Sequence, residues 1–223
     1  MAAGTHVVPN QPGALYAIVL GTSGTTVGQN NDYTTHLWYG DDDEVRWDAR
    51  YDNGGEDHAV GMVFDGFTIY VTGYSQAATS SFGPTFPNFD YLTIAYQHSF
   101  IEPVELWCDR LDYMGLPDYP LGITLYSPTS GPKELWVTGA GGIVTTQESD
   151  VLTVRYLDDG GTLTDVWSDD WSLGYVQNIG MGVTTFGGKP FIAGAGWNGP
   201  SAGYDMLSLR YNADPPGFAR GWS

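Results

Sequence analysis

The second of four repeats in this chain reads HAVGMVF (58–64), TIYVTGYS (68–75), DYLTIAYQ (90–97) and VELWCDRLDY (104–113). The segments are short, rich in β-branched and aromatic residues, and separated by residues that favour turns, which is typical of β-strands. In the third segment Leu92, Ile94 and Tyr96 fall on one face and Thr93 and Ala95 on the other, because side chains alternate along a strand. The repeat therefore predicts a unit of four antiparallel strands.

The same order of features recurs in four copies. In each copy an apolar run ends in Gly, an Asp follows, an aromatic residue lies six positions after the Asp, and a Trp comes next. The members are Gly21, Gly73, Gly139 and Gly194; Asp32, Asp90, Asp150 and Asp205; Trp38, Tyr96, Tyr156 and Tyr211; and Trp47, Trp107, Trp167 and Trp222. Glycines that recur every 52 to 66 residues among short strands are typical of a propeller or a related β array.

The sequence thus predicts a single all-β domain over residues 1–223, with no long segment of helical periodicity. The predicted fold is a β-propeller of four blades, each with four antiparallel strands, at about 1–53, 54–114, 115–172 and 173–223. The last strand of the fourth blade is short, which leaves an open sheet edge that proteins normally cover. Three alternatives follow: a four-bladed ring, half of an eight-bladed ring that a homodimer completes, or a segment of a longer array.

Small residues occupy the first strand of the later repeats. Ala59 and Gly61 lie in the second repeat, Gly122 in the third, and Gly180 and Gly182 in the fourth. Glycine inside a strand commonly marks a place where another backbone comes close. We expect these first strands to converge at the centre of the array.

Composition limits the partners. The net charge of −18 repels phosphate backbones and anionic membrane surfaces, so neither nucleic acid nor membrane insertion is expected. No apolar run reaches the length of a membrane span, and the first residues lack the pattern of a signal peptide. Cys108 is the sole cysteine, so an intrachain disulfide is excluded.

Three copies resemble the bacterial β-propeller repeats called SBBP repeats, whose units combine a V-T-G-x-S run with D-Y-x-T-x-x-Y. The resemblance rests on YVTGYS with DYLTIAY (70–75, 90–96), WVTGAG with DVLTVRY (136–141, 150–156) and FIAGAG with DMLSLRY (191–196, 205–211). The first copy departs from it, with LGTS (20–23) and DYTTHLW (32–38). The resemblance implies repeat architecture in a secreted or surface-associated protein, and it implies no catalytic residue.

Two sets of acids are candidate functional groups. The four repeat aspartates begin the third strand of each unit, where Asp commonly bonds backbone N–H groups, and this favours a structural role. Asp41, Asp42 and Asp43 form the densest run of charge, and calcium prefers such oxygen ligands. These three residues are the candidate calcium ligands; otherwise no cofactor is expected.

A second candidate site lies in GWNGPSAGY (196–204), which the sequence predicts as a loop. Trp197 lies there with Asn198 and Tyr204. An aromatic ring beside amide and hydroxyl groups is suited to stacking and hydrogen bonding of a sugar. These three residues are the candidate glycan ligands, with a Trp that folds back onto its own unit as the structural alternative.

These patterns favour a non-enzymatic, extracellular or cell-surface interaction module. Its loop face, with the connections 75–89 and 126–134, would bind a protein or a glycan. A lectin-like carbohydrate binder and a propeller hydrolase or lyase remain the alternatives. The chain shows no paired base and nucleophile that would indicate catalysis, so no catalytic residue is assigned.

Overall fold

The residues described by the computed structural model of this protein form fifteen β-strands and no helix. The structure describes residues 2–9, 15–24, 31–39, 44–77, 87–99, 101–145, 148–172, 177–197 and 203–211. The strands are β1 Ala2–Pro9, β2 Leu15–Gly24, β3 Asn31–Tyr39, β4 Glu44–Tyr51, β5 Asp57–Phe64, β6 Thr68–Gln76, β7 Phe89–Gln97, β8 Val104–Leu111, β9 Tyr119–Tyr126, β10 Lys133–Thr145, β11 Glu148–Asp158, β12 Leu163–Trp171, β13 Gln177–Phe186, β14 Lys189–Trp197 and β15 Tyr204–Arg210.

The strands pair with their neighbours in sequence order. The first sheet is β1–β4, the second β5–β8, the third β9–β12 and the fourth β13–β15, and every pair within a sheet is antiparallel. A single parallel bridge between Ser149 and Gln177 joins the third sheet to the fourth. The all-β class is confirmed, and in the second repeat the strands end within two residues of their predicted bounds.

Consecutive sheets pack face to face at three junctions, numbered here in chain order. Leu92 and Ile94 of β7 pack in the first junction, whereas Ala95 packs in the second, which confirms the predicted alternation. The buried cores are Tyr33, Leu37, Trp47, Ala49, Ile69, Val71, Leu92, Ile94 and Tyr96 at the first junction; Tyr70, Tyr91, Ala95, Trp107, Leu135, Val137, Leu152, Val154 and Tyr156 at the second; and Val151, Trp171, Ile192, Leu207, Leu209 and Tyr211 at the third.

The first strands of the sheets approach one another closely. A Cβ on Gly61 would lie 2.9 Å from Ile123 Cγ2, and a Cβ on Gly122 would lie 3.0 Å from the Cα of Gly182. Strand β5 therefore packs on β9, and β9 on β13, as the small residues predicted. Among the described strands, no contact of this extent joins the first sheet to the fourth.

A tyrosine from one sheet is accommodated by a glycine of the next at two junctions. The Tyr33 hydroxyl donates to the Leu92 carbonyl at 3.3 Å, and the Tyr91 hydroxyl donates to the Leu152 carbonyl at 3.2 Å. A Cβ on Gly139 would lie 2.5 Å from the Tyr91 hydroxyl, so this glycine leaves room for the ring. The same relation holds between Tyr33 and Gly73. A Cβ would also lie 1.9 Å from the His58 carbonyl oxygen at Gly73 and 2.0 Å from the Tyr119 carbonyl oxygen at Gly139. At these junctions the repeat glycine therefore serves packing within its own sheet as well as between sheets.

The repeat tryptophans also tie sheets together. Trp47 Nε1 donates to the Ser99 carbonyl at 2.6 Å, and Trp107 Nε1 donates to Asp158 Oδ2 at 2.8 Å. Each bond runs from the last strand of one sheet to the sheet that follows.

No helix long and apolar enough to cross a membrane occurs in the part of the chain that is described.

Candidate functional site

One face of the fourth sheet differs from the equivalent faces of the second and third sheets. Alignment of the repeats places Phe191 where the earlier sheets have Tyr70 and Trp136, and it places Met206 where they have Tyr91 and Val151. The four earlier side chains are fully buried at the second and third junctions. Met206, by contrast, is 91% exposed.

This surface is called the free face here, and it consists of alternate residues on two paired strands. Ala193 lies opposite Ser208, and Ala195 lies opposite Met206. A shallow depression on the face is lined in part by Gly182 of β13. A Cβ on Gly182 would meet no described atom within 4 Å, unlike one on Gly61 or Gly122. The members of the free face are Phe191, Ala193 and Ala195 of β14 and Met206, Ser208 and Arg210 of β15.

The predicted glycan ligands lie at one end of the free face. Trp197 is the last residue of β14 and Tyr204 the first of β15, so both belong to strand ends rather than to the predicted loop. The reason is cross-strand pairing, because Trp197 lies opposite both Gln177 and Tyr204. The ring centroids of Trp197 and Tyr204 are 6.5 Å apart, and the Tyr204 hydroxyl donates to Gln177 Oε1 at 3.3 Å. Asn198 lies outside the described residues.

The repeat aspartates take different partners from those expected. Asp32 is buried and pairs with Arg50, and Asp90 is buried with Arg110 Nε 2.6 Å from its Oδ2. Burial raises the pKa of the Asp90 carboxyl, and Arg110 opposes that shift. In these two copies the side chains are held by arginines of the fourth strand of the same sheet, rather than by backbone N–H groups of a turn. Asp205 of the fourth sheet is exposed.

Two of the repeat aspartates belong to groups of three carboxylates. One group, near the first junction, consists of Asp32, Asp52 and Asp57. Each of these residues has one carboxylate oxygen within 4.8 Å of a carboxylate oxygen of each of the other two, and the same holds for the second group. The equivalent group near the second junction is Asp90, Asp112 and Asp118. Neither group was predicted from the sequence. A signal was present, because an Asp follows the repeat Asp by 20 and 25 residues in the first copy and by 22 and 28 in the second.

Asp118 is the most perturbed of these acids. It is fully buried, and burial raises the pKa of its carboxyl to about 8. Its Oδ2 accepts a hydrogen bond from the Tyr113 N–H at 2.7 Å, and its Oδ1 accepts one from the Gly142 N–H at 2.8 Å. A catalytic acid must reach a substrate, whereas both oxygens of Asp118 hold the backbone. This arrangement favours a structural role for Asp118.

The predicted calcium ligands Asp41, Asp42 and Asp43 lie outside the described residues, so calcium binding there stays a prediction.

No protein-family model matches the chain, and no curated protein matches its sequence. Among solved structures, the chain is similar to an exo-1,5-alpha-L-arabinanase from a bovine ruminal metagenomic library, with 12% sequence identity and a TM-score of 0.38. That match covers 93% of this chain and 73% of the arabinanase chain.

Proposed function

We propose that this protein is a non-enzymatic interaction module of the propeller type, built from four SBBP-like blades and used outside the cell or at its surface. The free face of the fourth sheet carries the proposal. Isolated exposed apolar residues are ordinary, but a sheet face whose counterparts, except Tyr74, are buried marks a surface that packs against something.

The preferred occupant is a further sheet of the same repeat type, carried by a second copy of the chain. At every junction inside the molecule, such a face is covered by the next sheet in the series. The surface that would cover Phe191 and Met206 is therefore the opposite face of a similar sheet. Full burial of one large apolar side chain stabilises an interface by about 1.5–3 kcal/mol, so a few such contacts favour association. This occupant supports a homodimer that completes a larger ring.

The mass of the protein in solution tests this function, and Met206→Asp is the informative variant. A charge at this exposed position destabilises any partner that covers it but leaves the isolated chain folded. Ile101→Asp is the matched control, because Ile101 is 84% exposed and lies away from the free face. Light scattering should give a dimer for the native protein and for Ile101→Asp, and a monomer for Met206→Asp. A monomeric native protein, or equal effects of the two changes, would contradict the proposed partner.

Carbohydrate binding is the second candidate function, and the pairing of Trp197 with Tyr204 favours it. Tyr204 is 66% exposed, and its hydroxyl meets the side-chain oxygen of Gln177, so aromatic and polar groups lie together at one strand end. A glycan-array screen, run with calcium and again with a chelator, should give specific hits that Trp197→Ala removes. Hits unchanged by Trp197→Ala would exclude this site, and a blank array would exclude the function.

A further inference from the structure

The acids of the first junction have an unusual arrangement of burial and charge. Asp57 is fully buried, Asp32 is 2% exposed, and Asp52 lies at the surface. Three carboxylates at such short range repel one another, and Arg50 supplies a single positive charge through Asp32. Arg110, which itself pairs with Asp90, also lies within electrostatic range of Asp57. The group keeps a net negative charge when all three acids are ionised.

The two oxygens of Asp57 differ in their partners. Oδ2 accepts a hydrogen bond from the Asn53 N–H at 3.1 Å. Oδ1 is buried and has no partner of hydrogen-bond geometry, although the Ser75 hydroxyl is near enough to lower the pKa of the carboxyl. A buried carboxylate oxygen without a partner is costly, so a site of this kind normally holds another group.

A local difference between two sheets explains why this oxygen lacks a donor. In the third sheet the Ile143 N–H donates to the Pro117 carbonyl, as the Gln76 N–H donates to the Glu56 carbonyl in the second. The third sheet has an additional residue, Gly142, before that bond, and its N–H donates to Asp118 Oδ1. Gly142 has a φ of 68°, a conformation that glycine adopts easily.

The second sheet has no counterpart of Gly142, because Ser75 is followed directly by Gln76. The Gln76 N–H is committed to the Glu56 carbonyl at 2.8 Å. Asp57 therefore keeps the position of Asp118 but has one backbone donor in place of two.

We propose that Asp32, Asp52 and Asp57 bind a divalent cation of the calcium type at the first junction. Calcium binds oxygen ligands at 2.3–2.6 Å, so two ligands of one ion lie at most about 5 Å apart, and these acids meet that limit. A divalent cation would offset the negative charge of the group. The surface carboxylate of Asp52 leaves one side open, where water completes the coordination. A bound ion would tie the first sheet to the start of the second.

Calcium titration of chelator-treated protein by calorimetry tests the site, and the repeat offers a matched pair of variants. Asp52→Asn removes one charge, but its side-chain oxygen can still accept the Gly54 N–H bond that Asp52 Oδ1 accepts at 2.7 Å. Asp112→Asn removes the same charge at the equivalent position of the second junction. The native protein should show a saturable site, Asp52→Asn should weaken it by about tenfold or more, and Asp112→Asn should leave it within about twofold.

Arg50 provides a test in the opposite direction. Its guanidinium competes with a cation for Asp32, so Arg50→Gln should tighten calcium binding by about threefold or more. A salt bridge with only a structural role would lower thermal stability on this change without altering calcium affinity.

Three results would overturn the inference. The first is the absence of saturable binding to the native protein. The second is an equal loss of affinity in Asp52→Asn and Asp112→Asn, which indicates diffuse attraction to an acidic surface. The third is an Arg50→Gln protein whose affinity is unchanged or weaker, because the arginine would then not compete with the ion.

Discussion

The third and fourth sheets place equivalent residues in opposite surroundings. Trp136 of the third sheet is fully buried and stacks on Tyr211 with ring centroids 6.1 Å apart, whereas its counterpart Phe191 is only partly buried. Thr138 is fully buried, and its counterpart Ala193 is exposed. The backbone pattern is the same in both sheets, so the difference arises from what covers each face. The burial of a side chain therefore depends on whether another sheet covers its face, as well as on its position in the repeat.

The largest effect expected from this comparison is at Trp136. Trp136→Ala should lower the free energy of unfolding by about 3–5 kcal/mol, because it removes a large side chain from a closed junction. Phe191→Ala should cost about 1 kcal/mol, since much of that ring is already in water. Urea denaturation of the two variants under conditions that keep the protein monomeric measures the difference. Equal losses would mean that the free face is covered within the chain itself.

A repeat glycine, Gly139, and a first-strand glycine, Gly182, give the next largest contrast. A Cβ at Gly139 would lie 2.0 Å from the Tyr119 carbonyl oxygen, whereas a Cβ at Gly182 would meet no described atom within 4 Å. Gly139→Ala should therefore cost about 1–3 kcal/mol through overpacking, and Gly182→Ala should change stability by less than about 0.5 kcal/mol. Thermal unfolding of the monomer compares them. A large loss in Gly182→Ala would reveal a neighbour on that side.

The strands and the role of the small first-strand residues could be predicted because they depend on local pattern. Alternation in β7 and the recurrence of Gly before Asp are visible in the chain without knowledge of its packing. The loop predicted at 196–204 was wrong at its ends, because pairing of Trp197 with Gln177 and Tyr204 extends both strands. Glycine-rich sequence favours a turn, but cross-strand contacts prevailed at these two positions.

The partners of the acids could not be predicted in the same way. The pairing of Asp32 with Arg50 depends on the register of β3 against β4, which the sequence does not specify. The group that includes Asp52 and Asp57 forms only when the end of one sheet meets the start of the next. An inserted residue such as Gly142 changes the bonding of one acid and leaves the strand pattern intact.

A smaller effect should appear in the pH dependence of stability. The pKa of Asp118 is raised to about 8 in the folded protein, above its ordinary value near 4 in the unfolded chain. The folded state then binds more protons than the unfolded state between these values, so this contribution is present below about pH 4 and is lost as the pH rises towards 8. Asp118→Asn removes the titrating proton, but its amide offers one acceptor to the two backbone N–H groups that Asp118 binds, so the variant is compared by its pH slope and not by its absolute stability.

Urea unfolding at pH 5 and pH 8 measures this contribution. The native protein should lose about 1 kcal/mol or more over the interval, and Asp118→Asn should lose less. Burial also raises the pKa of Asp57 and Asp90, so some pH dependence of the same sign should persist in the variant. Identical slopes in the two proteins would contradict the assignment to Asp118.

The smallest effect expected is the loss of one hydrogen bond across the second junction. Tyr91→Phe removes the bond to the Leu152 carbonyl but keeps the ring that packs beside Gly139. That carbonyl also accepts from the Thr138 hydroxyl at 3.5 Å, so it does not become wholly unpaired. The free energy of unfolding should fall by about 1 kcal/mol.

Tyr204→Phe is the matched change on the exposed side of the comparison, because its hydroxyl donates to Gln177 at a surface that water reaches. Its cost should be below about 0.5 kcal/mol, since water replaces the lost partner. The urea midpoints of both variants, compared with that of the native protein, measure the two losses of stability. An equal cost in Tyr204→Phe and Tyr91→Phe would mean that Tyr204 is buried in solution. A partner would then cover the free face at the strand end that contains Tyr204.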